Sequence, residues 1–320
     1  MEEIIAPVDR ELLRSELTEE HFLRTTSKGG NQLYLVRNAT APNLMREIGR
    51  LREEAFRSSG GGTGKEADID QYDLSENGYQ QLLVWDPEDQ EIVAGYRLLK
   101  CAEADRDEQG RIISATSHLF NLSEDFTLNY LPITLELGRS FVQPKYQRGA
   151  QRKGLFALDN LWDGLAAVMV LNPDLKYMFG KVTMYPHYHR EARNLILAFL
   201  RKYFPDPDHL VSPIAPLVSA EELADYANYF ADLPYKEAHQ KLTKEVRQRG
   251  ELIPPLINSY MSLTRTMRTF GTAVNAGFGG VEETGILMTF ADVDPARKER
   301  YTSTFEESRT YHGPDFRPKT

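Results

Sequence analysis

A chain of 320 residues with 41% hydrophobic and 27% charged content is long enough for one large domain or two small ones and buries a core readily. Its net charge of −9 excludes general nucleic-acid binding, and its single cysteine, Cys101, excludes an internal disulfide framework and a cysteine-rich zinc site. No apolar run approaches the roughly 18 residues of a membrane span, and the acidic start MEEIIAPVDRELL lacks a signal-peptide core, so a cytoplasmic protein is expected.

Residues 1–31 have mixed charge and room for one short helix, without evident chemistry, and 32–37 read as a strand. Pro42-Asn43 opens a helix, with Asn43 as its cap, that places Leu44, Ile48, Leu51 and Ala55/Phe56 on one face. It ends before 58–65, a four-glycine stretch with no strand immediately ahead of it, which reads as a flexible, lid-like loop rather than a phosphate cradle. Asp68-Ile69-Asp70-Gln71-Tyr72-Asp73 follows; alternating acids suit a hard cation, but the further oxygens of an EF-hand are missing, so no metal is expected. Residues 80–85 and 91–100 make a β-hairpin with Gly95-Tyr96-Arg97-Leu98-Leu99 in its return strand. A polar connection (102–113) and an irregular stretch (117–131) come next.

Residues 134–142 alternate, with Leu135, Leu137 and Phe141 facing one way and Glu136, Gly138 and Ser140 the other, and so predict a strand that Pro144 stops. The loop Gln147-Arg148-Gly149-Ala150-Gln151-Arg152-Lys153-Gly154 then feeds the apolar-periodic run Leu155, Phe156, Leu158, Leu161, Trp162, Leu165. Such a loop aims backbone N–H groups, at the positive end of a helix dipole, toward a point where a phosphate can sit. It lacks both the glycine pattern of dinucleotide folds and the G-K-S/T of phosphate loops, and an ordinary strand-to-helix turn with solvated charges remains the competing reading.

A strand over 177–184 enters Tyr185-Pro186-His187-Tyr188-His189, whose histidine pair lacks a third ligand nearby and reads as surface. A helix over 191–203 precedes the break at 205–208, which divides an expected core (1–205) from a C-terminal helical extension with a final strand (206–320) packed on the same core. Within the extension, Ser219 and Glu222 make a capping box, 235–249 is a polar helix, and a further helix runs from Pro255 to about 269. Small residues at 271–280, a strand at 284–290 and a polar tail from about 302 complete the chain.

Gln147-Arg148-Gly149-Ala150 and Arg152-Lys153-Gly154 are similar to the pyrophosphate loop, Gln/Arg-x-x-Gly-x-Gly/Ala, of the Gcn5-related N-acetyltransferase (GNAT) fold. Asp70-Gln71-Tyr72-Asp73, Gly95-Tyr96-Arg97-Leu98 and Leu135-Glu136-Leu137-Gly138-Arg139-Ser140, in that order, resemble the acyl-homoserine-lactone synthases and, more closely, the bacterial aminolipid N-acyltransferases that acylate ornithine or glycine. Ile253-Pro254-Pro255-Leu256-Ile257-Asn258-Ser259-Tyr260 resembles a Pro-Pro-Leu helix start of the aminolipid group, and the likeness spans about residues 30–292. Ala276-Gly277-Phe278-Gly279-Gly280 and Glu282-Glu283 depart from that group's Asp-containing stretch, which leaves the acceptor amino acid open.

The resemblance implies an α/β (α+β) fold, a mixed, splayed central sheet flanked by helices, with the helical extension returning a last strand to it. A pantetheine arm would lie beside the central strand and an acyl chain in an apolar tunnel. It implies an enzyme moving a fatty acyl or 3-hydroxyacyl group from acyl carrier protein to the α-amino group of an amino acid such as glycine or ornithine, the first step of aminolipid synthesis. The alternative is a GNAT enzyme using acyl-CoA or making another acyl-amine signal. No cofactor is held permanently on this reading; the donor is a phosphopantetheine thioester, and the lipid product would bring the protein to the inner membrane face. Glu136 is the candidate base or base-orienter, and Arg139 would hold that carboxylate or the acceptor's carboxyl, although strict alternation puts the two on opposite faces unless a bulge lies near Gly138. Phe141, Val142, Gln147, Arg148, Gly149, Arg152, Lys153 and Gly154 would meet the donor, and Asp70, Asp73 and Arg97 the acceptor. Lys145, Arg148, Arg152 and Lys153 lie within nine positions, with no acid between Glu136 and Asp159, forming a local basic surface for an acidic carrier.

Overall fold

The computed structural model describes residues 1–147, 154 and 156–308. In chain order its elements begin with α1 (Arg10–Glu16), β1 (Phe22–Thr25), β2 (Gln32–Val36), α2 (Pro42–Ser58), α3 (Gln71–Leu74), β3 (Gln80–Asp86) and β4 (Glu91–Lys100). They continue with β5 (Phe120–Leu122), β6 (Thr134–Val142), α4 (Pro144–Gln147), α5 (Ala157–Leu171), β7 (Tyr177–Met184), α6 (Arg190–Tyr203) and β8 (Val211–Pro213). The last are α7 (Ala220–Ala227), α8 (Tyr235–Gln248), α9 (Pro255–Leu263), β9 (Arg268–Asn275), β10 (Val281–Thr289) and α10 (Pro295–Ser308). The architecture is mixed α/β, antiparallel strands flanked by helices, and it gathers into two compact units.

The first unit takes Met1–Ala115, Ile133–Lys176 and the segment from Asp294. Its strands pair antiparallel in the order β1, β2, β3, β4, β6. Leu44, Ile48 and Leu51 on α2 recur at helical spacing and bury against Leu83, Trp85 and Phe141. On α5, Gly164 lets the helix approach β3 so closely that a Cβ there would come within 2.7 Å of Leu82. The predicted cap of α2 is corrected: Ala41 is the N-cap, and the carboxylate of Glu16, the last residue of α1, accepts from the N–H groups of Asn43 (3.0 Å) and Leu44 (2.7 Å). The glycine stretch after α2 is pinned rather than loose, because the buried Glu53 carboxylate accepts from Thr63 N–H (2.9 Å), the Thr63 hydroxyl (2.8 Å) and Gly64 N–H (2.9 Å). The polar tail is also corrected up to Ser308: α10 buries Tyr301 and Phe305 and packs on α5.

The second unit takes Thr116–Pro132 and Tyr177–Val293. Here β7, β10 and β9 pair antiparallel, so the final strand lies between two others, and β5 pairs with β8. Strand β9 replaces the end of the helix predicted to reach 269; α9 stops at Leu263, where the β-branched run Thr264, Thr266, Thr269, Thr272 and Val274 begins. Helix α6 buries Leu195, Ile196 and Phe199, and α7 and α8 pack on it. A cavity of about 440 Å³ in this unit is lined largely by apolar side chains, among them Leu197, Leu200, Val211, Pro213 and Phe270.

Candidate active site

Strand β6 carries the bulge that the separation of Glu136 and Arg139 demands. Glu136 stands opposite Leu99 and Gly138 opposite Arg97, but the next pairing joins Phe141 to Gly95, so three steps on β6 match two on β4. Arg139 absorbs the extra residue at φ 50°, a left-handed conformation that non-glycine residues seldom adopt. The bulge delivers the Arg139 guanidinium to the aspartates, with Nε donating to Asp68 Oδ2 at 2.8 Å and Nη2 lying 4.0 Å from Asp70. Gly138 leaves room for Arg97, whose Nε would lie 3.1 Å from any Cβ there.

Asp70 and Asp73 form a capping box around α3: Asp70 accepts from Tyr72 N–H and Asp73 N–H, and Asp73 accepts from Asp70 N–H. That box holds both carboxylates toward the arginines. Arg97 Nη1 donates to Asp70 at 2.7 Å and to Asp73 at 3.3 Å. Arg52, from α2, donates Nε to Asp68 at 3.1 Å and closes a two-pronged fork on Asp73 at 3.1 and 3.3 Å. Three arginines thus face three aspartates, and of these six only Asp70 (25% exposed) and Arg139 (12%) reach solvent. Burial alone would raise the carboxyls of Asp68 and Asp73, but Arg52 with Arg139 and Arg97 holds Asp68 below its ordinary value, and Arg52 with Arg97 does the same for Asp73.

Glu136 is 2% exposed, and the Tyr79 hydroxyl donates to its Oε1 at 2.6 Å. Tyr79 oxygen accepts from Ala115 N–H at 3.0 Å, and the Arg97 guanidinium stands 4.4 Å from the centre of the Tyr79 ring. Burial and then Glu136 push the Tyr79 phenol well above its ordinary value, so it keeps its proton. The same two causes push up the thiol of the buried Cys101, which offers no thiolate nucleophile at neutral pH. The arrangement offers a buried carboxylate rather than a thiolate, which suits proton transfer better than covalent catalysis by cysteine.

The structure therefore brings together Asp70, Asp73, Arg97 and Arg139, adds Arg52 and Asp68, and seats Glu136 on Tyr79. Of the residues expected at the donor, Phe141 lies in the apolar core over Gly95, and the Val142 carbonyl accepts from Gln147 Nε2. Gly154 stands so close to the Tyr146 carbonyl that a Cβ would come within 1.9 Å of its oxygen, while Arg148, Gly149, Arg152 and Lys153 lie outside the described residues. Lys145 pairs with Glu91 at 2.8 Å and with Asp89 at 3.8 Å. Arg52 was readable: it follows Ile48 by four residues and so falls on the buried stripe of α2, where an arginine needs partners. Nothing local marks Tyr79, whose partners are 36 and 57 residues away.

The model of the acetyltransferase (GNAT) domain family matches residues 51–157. The glycine N(alpha)-acyltransferase of Phocaeicola vulgatus is 53% identical over 306 residues, covering 95% of this chain and 94% of that one. The glycine N(alpha)-acyltransferase of Bacteroides thetaiotaomicron is 53% identical over 309 residues, covering 96% and 92%. The chain belongs to the glycine N(alpha)-acyltransferase family. As a member of that family it is an N-acyltransferase that acylates an amino acid. The segment matched by the GNAT model contains Arg52, Asp68, Asp70, Asp73, Tyr79, Arg97, Glu136 and Arg139. A solved structure of BjaI, a CoA-dependent acyl-homoserine lactone synthase, with MTA, is 11% identical with a TM-score of 0.39, covering 90% of this chain and 93% of that one.

Proposed function

We propose that the protein transfers a fatty acyl group from acyl carrier protein to the α-amino group of glycine, the first step of an aminolipid synthesis, with Glu136 assisting removal of the amine proton. The observation that carries the catalytic part is the buried Glu136 carboxylate fixed at 2.6 Å by Tyr79 on the bulged strand. Glycine as acceptor is supported by the names of relatives at 53% identity. A glycine ammonium sheds one proton to become a nucleophile, which Glu136 accepts directly or through a water. The amine nitrogen then bonds to the thioester carbon, the C–S bond breaks, and the pantetheine sulfur leaves as a thiol carrying the second proton. At the bulge the ladder slips, and a backbone N–H there would suit the oxygen on which negative charge grows. Arg139 and Asp70, the two solvent-reaching members of the charged network, match the acceptor's carboxylate and ammonium.

The carrier protein as donor is supported by Arg148, Arg152 and Lys153, clustered in the sequence of a chain of net charge −9, since an acidic partner needs local positive charge to dock. The test is incubation of the purified protein with acylated carrier protein or acyl-CoA and single amino acids, followed by mass spectrometry of the products. N-acylglycine formed faster from the carrier protein, and more slowly as salt rises, is the expected result. Equal use of acyl-CoA overturns the donor, and preference for another amino acid overturns the acceptor.

A further inference from the structure

Tyr79 is 1% exposed and precedes β3 by a single residue, yet it is tied to three separate parts of the first unit. Its oxygen accepts from Ala115 N–H, which leaves the phenol proton directed along the 2.6 Å bond to Glu136. Its ring lies beneath the Arg97 guanidinium, which is itself fixed by Asp70 and Asp73. The geometry points to Tyr79 as the residue that positions Glu136 for the acyl transfer, holding one carboxylate oxygen and with it the plane of the group. This inference rests on the reading of Glu136 as the group that assists proton removal.

A carboxylate in a strand can rotate about its terminal torsion, which is broad and roughly two-fold, so packing alone does not set its plane. The short bond from the Tyr79 hydroxyl constrains it. The same bond links the plane of the carboxylate to Arg97, and through Arg97 to Asp70, where solvent reaches the network. Seating of an acceptor at Asp70 is thereby connected to the base by Asp70, Arg97, Tyr79 and Glu136 in sequence.

The experiment is a cycle of Tyr79→Phe, Glu136→Gln and the double variant, read as kcat and KM for the amino acid. Tyr79→Phe should lower kcat about 10- to 100-fold, the loss that a hydrogen bond to a charged group represents, with KM changed less than about 3-fold. The double variant should be no slower than Glu136→Gln, because Tyr79 acts only through that carboxylate. Losses that multiply in the double variant, or a normal kcat in Tyr79→Phe beside a slow Glu136→Gln, overturn the proposal; a normal kcat in Glu136→Gln overturns the underlying reading instead. Should Tyr79→Phe not fold, site-specific 3-fluorotyrosine at 79 keeps ring and hydroxyl while changing donor strength. A kcat that changes at constant KM supports the proposal, and an unchanged kcat overturns it.

Discussion

In the first unit three arginines and three aspartates share one enclosed network, whereas in the second unit buried charge is met across neighbouring elements, Lys181 with Glu283 between strands and Arg193 of α6 with Glu282 of β10. Each aspartate of the network meets two arginines, so removing one carboxylate strips two cations of a partner at once. The pair at Arg193 and Glu282 is 11% and 12% exposed, and water can relieve part of such a loss. The difference teaches where charge serves as scaffold for a site and where it braces an α/β contact: only the network is built on a capping box, a bulge and a glycine that makes room for an arginine.

That contrast can be broken by removing single charges and measuring unfolding. Asp73→Asn should cost most, about 3–5 kcal/mol, because it leaves buried arginines uncompensated. Arg193→Met should cost about 1.5–3 kcal/mol, the value of a hydrogen bond between charged groups. Arg190→Ala, which breaks a pair 74% and 48% exposed, should cost about 0–1 kcal/mol. Denaturant midpoints that rank these three differently would undo the comparison.

Acid sharpens it further. Asp68 and Asp73 have folded values below the ordinary carboxyl range, so their stabilisation is fully present above about pH 4 and is lost as pH falls through the depressed values. Asp163 works in the other direction: burial raises it despite hydrogen bonds from Ser27, so stability falls as pH rises from about 4 through its raised value. Thermal unfolding across pH should show both limbs, and Asp163→Asn should remove the upper one while leaving the acid loss. An unchanged profile in that variant contradicts the assignment.

Strand β6 and the Asp-x-x-Asp and Gly-x-Arg motifs were legible because each is a local pattern whose spacing the backbone imposes. The need for a bulge was legible too, from the parity of positions 136 and 139, but its outcome was not: which partner Arg139 meets depends on Asp68, 71 residues away. Tyr79 was hidden for the same reason. Strand β9 is not legible because Gly271, at φ 85°, interrupts its alternation, and the end of α10 beyond 302 resembles a polar tail because Phe305 sits among charges. Glu53 shows how one buried carboxylate can order a glycine-rich stretch that composition alone describes as loose.

The most direct measurement is the turnover of Glu136→Gln with acylated carrier protein and glycine, beside its melting temperature. Glutamine can still accept the Tyr79 hydrogen bond, so the fold should hold while turnover drops by ~10²–10⁴, the range for losing a general base. Near-normal turnover in a folded Glu136→Gln variant would contradict the account at its centre.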